Sequence, residues 1–205
     1  MGIGRYLPEM VVTNEDFTKI VDTSDEWITQ RTGIKTRHIT NGEPTYYLGA
    51  QAAKAALEDA GIKPADIDLI IVTTCTPDYY TPSTACLIQR EIGAVGSMAM
   101  DINCACTGFD YGLDMARRYL VAEDGVDTVL LIASEELSKF TDYQDRSSCI
   151  LFGDVMPLWK NVESPRTAQM RPLRPAFFMP AALPIDAPMQ MVESIALRGG
   201  NAPSV

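Results

Sequence analysis

The sequence predicts an α/β layered protein around a mostly parallel sheet, and three observations carry that expectation. Two apolar, β-branched runs of strand length, 67–74 and 127–133, carry no polar face, as strands covered on both sides must. Segments of helical length and composition, 46–60, 83–92 and 106–121, stand beside them. Strand and helix therefore alternate up to about residue 154, the pattern that lays helices on the faces of a sheet.

The first helix is expected over 24–30. Thr23 or Ser24 supplies the capping oxygen, and Asp25 and Glu26 complement the positive end of the helix dipole. The helix over 46–60 is rich in Ala and Leu and stops at Gly61, a residue that tolerates the left-handed turn ending many helices. Residues 67–74 follow as a strand. Residues 83–92 read as a helix ended by Gly93, 97–103 as a short strand, 106–121 as a helix and 127–133 as a second buried strand.

Charge and composition exclude several classes. Of 205 residues, 17 are Lys or Arg and 27 are Asp or Glu, a net charge of −10. Binding to a nucleic-acid backbone needs a basic face, so no nucleic-acid partner is expected; a local basic site for a phosphorylated small molecule is still compatible. No run reaches the roughly 18 apolar residues of a membrane span, and the first residues lack the apolar core of a secretory signal. The five cysteines do not form a disulfide framework and read as reduced thiols of a cytoplasmic protein.

The composition changes after Asp154. Residues 1–154 carry a net charge of −12, whereas 155–205 carry +2, with 8 of the 13 prolines and 5 of the 10 methionines. Arg171-Pro172-Leu173-Arg174-Pro175 is incompatible with regular helix or central strand. Periodicity returns only over about 189–197. Two parts are expected: an α/β part, 1–154, and a Pro-rich tail, 155–205, that is disordered.

Asn103-Cys104-Ala105-Cys106-Thr107-Gly108-Phe109 sits where a strand hands over to a helix, the place where α/β folds collect ligands and catalytic groups. The positive end of a helix favours thiolate over thiol, and its free N–H groups stabilise an oxyanion. Cys106 is therefore a candidate nucleophile, set against the ordinary role of free cysteine as an inert packing residue. Cys75, Cys86 and Cys149 read as core. No second ligand pair follows the Cys104-x-Cys106 pair, so no metal is expected. His38, the only histidine, falls in a Lys/Arg-rich stretch and reads as solvated or locally bonded.

Further motifs are more specific. Val21-Asp22-Thr23-Ser24-Asp25-Glu26-Trp27-Ile28-Thr29-Gln30-Arg31-Thr32-Gly33-Ile34 resembles the signature of β-ketoacyl-acyl-carrier-protein synthase III. So do Tyr6-Leu7-Pro8 with Val12-Thr13-Asn14, Pro82-Ser83-Thr84-Ala85-Cys86, Ala105-Cys106-Thr107-Gly108-Phe109, Asp145-Arg146 and Phe152-Gly153-Asp154, in the family's order and spacing. The resemblance implies the N-terminal half of a thiolase-like layered fold and a homodimer. It implies acyl transfer from acyl-CoA to Cys106 and condensation with malonyl-acyl carrier protein to start fatty-acid synthesis. Acyl-CoA is then a substrate, and no cofactor is implied. Trp27 and Arg146 resemble the pair that sandwiches the adenine of coenzyme A, Arg31 the residue facing its phosphates, and Thr23 lies nearby. Thr81, Leu137 and Phe152 match positions lining the acyl pocket, where a small Thr81 would admit a longer or branched starter. A related polyketide condensing enzyme and a non-catalytic coenzyme A-binding half-domain are the alternatives.

The resemblance ends after Asp154, before the family's catalytic His and Asn. A chain truncated there, its tail read out of frame, is the expectation. One choice of codons for 155–162, read in a shifted frame, continues as Gly-Asp-Ala-Val-Val-Glu-Lys-Arg, much as the family does. Condensation by such a chain is expected to be lost.

Overall fold

The computed structural model describes residues 1–122, 125–154 and 194–198. Its core is a five-stranded sheet built from β1 (Gly2–Gly4), β4 (Leu69–Thr73), β5 (Met98–Ile102), β6 (Thr128–Ala133) and β7 (Ser194–Arg198), ordered β1-β7-β6-β4-β5. β5, β4 and β6 are parallel, and β7 runs antiparallel to both β6 and β1. The predicted α/β sheet is thus present, with one reversed strand. Within the tail the described residues are those of β7; the expected disorder elsewhere in 155–205 falls outside the described residues.

Every residue of β4 and β6 is buried, which is why neither shows an alternating pattern. One face of the sheet carries α3 (Thr45–Ala60) and α4 (Thr84–Ile92), packed through Ala50, Ala53, Leu57, Ile88 and Ile92 onto Ile70, Val72, Leu130 and Ile132. The other carries α5 (Gly108–Val121), whose Ala116 meets Leu69, Ile71, Val129 and Leu131. The approach of α5 is close enough to require glycine: a Cβ at Gly112 would lie 2.6 Å from Leu131 Cδ1.

Helix ends follow the sequence. Ser24 caps α2 (Asp25–Thr32), Ser83 caps α4, and Gly33, Gly61 and Gly93 close α2, α3 and α4 in left-handed conformations. Asp101 adds a second anchor for α4, accepting from the N–H groups of Thr84 and Ala85 at 2.7 Å each.

A smaller layer departs from the sequence expectations. The stretch around His38 is not a solvated loop. It contains β3 (Thr36–Ile39), paired antiparallel with β2 (Met10–Thr13), with Val12 opposite Arg37 and Val11 opposite His38. The short α1 (Asn14–Phe17) follows β2, closed by a reciprocal capping box between Thr13 and Asp16. Phe17, Ile28, Cys149 and Ile150 form the core of this layer.

Candidate functional site

Cys106 lies on a 3₁₀ turn, Ala105–Thr107, between the end of β5 and the start of α5, rather than inside the helix as the sequence predicts. The turn is closed by Thr107, whose N–H and hydroxyl donate to the Cys104 carbonyl at 3.3 and 2.9 Å. Ala105 has φ +47°, the one non-glycine residue with positive φ among the described residues. Such backbone is unfavourable for an L side chain and persists where the surroundings impose it. Here the imposed turn leaves Cys106 exposed. No side chain caps the N-terminus of α5; its first N–H, that of Gly108, donates to the Ala105 carbonyl, so the turn runs directly into the helix and Cys106 sits at the positive end of the helix dipole.

The four other cysteines divide by environment. Cys104 is exposed beside Cys106. Cys149 is fully buried, as expected, whereas Cys75, just beyond β4, and Cys86, on α4, are half-buried rather than inside the core. The Cys75 thiol is pushed up to about 11, first by desolvation and then by the Glu135 carboxylate, which accepts from its N–H at 2.8 Å and from its sulfur at 3.4 Å. Burial also raises the Cys149 thiol. Only thiolate reacts with alkylating agents. At pH 8 with limiting iodoacetamide, the peptide bearing Cys104 and Cys106 is expected to label first, with Cys75 and Cys149 slower by roughly tenfold or more. Mass spectrometry of the quenched digest measures this, and equal rates in the folded chain would refute the assignment.

Trp27, Arg31 and Arg146 come together. Trp27 and Arg31 project from α2, and Arg146 stands on the exposed segment 142–147. The Arg146 guanidinium carbon lies 4.3 Å from the Trp27 ring centroid and that of Arg31 lies 4.9 Å from it. Both are within the range of favourable cation–π contact. Asp145 shapes the Arg146 segment, accepting from Ser148 and Ser147, which hold its carboxyl below the ordinary carboxylate range. The hydroxyl oxygen of Thr23 is buried and has no hydrogen-bond partner among the described residues.

Of the proposed acyl-pocket residues, Leu137 and Phe152 are half-buried on neighbouring segments joined by Asp154, which accepts from the Ser138 N–H and hydroxyl at 2.8 Å each. Thr81 is exposed on the loop between β4 and α4, before the cis peptide to Pro82.

Three features were not singled out in the sequence. Arg37 is fully buried. Glu135 is buried in a network with Thr74, Cys75 and Thr76. Glu136 pairs with Lys139 at 2.6 Å, and Lys139 with Asp78 at 2.7 Å. A run of charged residues usually marks a solvated face, and nothing local distinguishes these. Among the described residues no group of His, Cys, Asp and Glu is suited to hold a metal ion, and no helix is long and apolar enough to cross a membrane.

Comparison with known proteins is specific. A family model described as 3-oxoacyl-[acyl-carrier-protein (ACP)] synthase III matches residues 100–156. The chain is 54% identical over 154 residues to a β-ketoacyl-[acyl-carrier-protein] synthase III of Clostridium acetobutylicum, covering 75% of this chain and 47% of the relative. The crystal structure of 3-oxoacyl-[acyl-carrier-protein] synthase III from Aquifex aeolicus superposes with a TM-score of 0.73 at 52% identity, covering 75% of this chain and 49% of that one. The priming β-ketosynthase of the R1128 polyketide pathway superposes with a TM-score of 0.72 at 38% identity, covering 75% and 46%. The chain spans about half the length of the curated relatives it matches.

Proposed function

Because this chain belongs, over its matched 154 residues, to the β-ketoacyl-acyl-carrier-protein synthase III family, with its thiolase-like α/β fold, we propose that it takes an acyl group from acyl-CoA onto Cys106. The observation that carries this reading is the stack of Arg146 on Trp27 at 4.3 Å, with Arg31 beside it. An indole and a guanidinium both stack well on a flat base. Arg146 is exposed and free to lift, so an adenine enters by exchanging one stacking contact for two. Arg31, with Thr23 nearby, faces the phosphates.

The Cys106 sulfur attacks the thioester carbonyl. A sulfur–acyl bond forms, the acyl bond to coenzyme A breaks, and the thiol proton ends on the released coenzyme. The positive end of the α5 dipole, just past the Cys106 turn, stabilises the oxyanion. Thr81, Leu137 and Phe152 bound the acyl chain. For the condensation step of this family we infer a cytoplasmic homodimer, in which malonyl-acyl carrier protein loses carbon dioxide and the resulting carbanion attacks the acyl group on the cysteine. A polyketide-priming role is the second reading, favoured by the likeness to the R1128 ketosynthase; it changes starter and acceptor, not the loading step.

Condensation by the 205-residue polypeptide alone is expected to be absent. Its one histidine, His38, lies on β3 with Nδ1 2.6 Å from the Pro8 carbonyl, and among the described residues no hydrogen bond joins it to the Cys106 turn. Formation of a β-ketoacyl product by the pure chain with acetyl-CoA and malonyl-acyl carrier protein would overturn this. Loading is tested by incubating the chain with acetyl-CoA and locating the acyl group by peptide mass spectrometry. Acylation at Cys106 is expected. Base stacking contributes about 1–3 kcal/mol, so Trp27→Ala should raise the acyl-CoA concentration for half-maximal acylation roughly tenfold or more. Acylation from acyl-N-acetylcysteamine, which has no nucleotide, should not change. Coenzyme A binding without acylation would replace catalysis by the half-domain reading.

A further inference from the structure

Arg37 has no exposed surface, and among the described residues no carboxylate pairs with it. A buried guanidinium is unfavourable unless its five N–H groups find acceptors. Burial pushes its pKa down to about 10, which still leaves it charged at neutral pH. Its partners are neutral. Nε donates to the Ile150 carbonyl at 3.0 Å, Nη2 donates to the same oxygen, and Nη1 donates to Oδ1 of Asn14. The guanidinium also lies 4.8 Å from the centroid of Phe17.

Asn14, itself buried, extends the chain of contacts. Its amide nitrogen lies 2.8 Å from Asp25 Oδ1, 3.3 Å from Thr29 Oγ1 and 2.8 Å from the Ile34 carbonyl. Asp25 and Thr29 flank Trp27 on α2, whereas Ile150 follows Arg146 by four residues. One buried pair on the β2–β3 layer thus grips both the helix bearing Trp27 and the segment bearing Arg146. Apolar contact runs alongside, Ile28 packing with Cys149 and Ile150.

We propose that Arg37 and Asn14 are positioning residues that set the spacing of Trp27 and Arg146 and so the grip on the nucleotide of acyl-CoA. This rests on the reading of Trp27 and Arg146 as the adenine-binding pair. A neutral anchor suits this role. A carboxylate partner for Arg37 would cancel a positive charge behind a slot meant for phosphates, whereas carbonyl acceptors hold the guanidinium in place and leave its field intact.

The test compares acylation of Cys106 by acyl-CoA with acylation by acyl-N-acetylcysteamine in the full chain. Arg37→Met removes the donors to both arms. Asn14→Asp keeps an acceptor for Arg37 but removes the donor to α2. Each variant is expected to lower the preference for acyl-CoA over the short thioester about tenfold, toward that of Trp27→Ala, with acylation by the short thioester within about twofold of wild type. Asn14→Asp carries the test if Arg37→Met does not fold. Equal loss with both thioesters would assign the pair a merely structural role, and an unchanged preference would overturn the proposal. A wild-type chain that shows no preference for acyl-CoA, or one that Trp27→Ala does not alter, would overturn the nucleotide-slot reading instead, and the clamp with it.

Discussion

Cys106→Ser is expected to lower acyl-enzyme formation by at least about 10³-fold, and Cys106→Ala to abolish it, because among the described residues no basic side chain is bonded to this position to activate a hydroxyl. Cysteine can act there alone, since sulfur is intrinsically far more nucleophilic than a hydroxyl oxygen and needs no strong base beside it. Serine needs a base, and the one histidine is held in the β2–β3 ribbon. The neighbouring thiol supplies the control. Cys104 is also exposed but contributes only its backbone carbonyl to the turn, so Cys104→Ser should acylate within about twofold of wild type. Intact-mass kinetics with acetyl-CoA measure all three variants. Acylation that persists in Cys106→Ser and disappears in Cys104→Ser would reverse the assignment of the nucleophile.

The layered sheet was legible because its elements are dictated locally. Within 67–74 every residue but Asp68 is apolar or β-branched, and the terminating glycines at 61 and 93 leave few alternatives. The β2–β3 ribbon was not legible. β3 reads Thr-Arg-His-Ile, and an arginine and a histidine side by side suit a solvated loop. What inverts that reading is a carbonyl 113 positions away, since Ile150 accepts from Arg37 and makes its burial tolerable. A local window holds no trace of such a partner. The same limit applies to the functional residues. Helix-terminus chemistry pointed to Cys106, yet the strained φ of Ala105 and the turn that presents the sulfur belong to the folded chain. Trp27 alone reads as a half-buried anchor on α2. Its pairing with Arg146 came from the resemblance of motifs, and the folded chain then brings the indole and the guanidinium into contact. Glu135 and Glu136 escaped notice for the reason Arg37 did: their acceptor work is done for residues 59 to 96 positions away.

Asp154→Ala is expected to destabilise the fold by about 3–5 kcal/mol. Asp154 is 1% exposed and has no cationic partner among the described residues. Its carboxylate accepts from the Thr40 N–H at 2.7 Å and from the N–H and hydroxyl of Ser138 at 2.8 Å, while its own N–H donates to the His38 carbonyl at 2.9 Å. Charge-assisted bonds of this kind are roughly twice as strong as neutral ones. Alanine would leave three donors without an acceptor in a site too closed for ready hydration, each worth about 1–3 kcal/mol, with the half-exposed Ser138 recovering part through water. Asp154→Asn keeps one oxygen but turns an amide toward a donor, so it should fall between wild type and alanine. Urea unfolding followed by far-ultraviolet circular dichroism would measure both. The loss is not confined to one contact, because Thr40 directly follows β3 and Ser138 adjoins Leu137. Removing this carboxylate therefore releases the strand that holds Arg37 from the segment that carries Leu137. A midpoint unchanged in Asp154→Ala would mean that these donors find water, and that the two segments are held by Arg37 and the Phe17–Ile28–Ile150 packing alone.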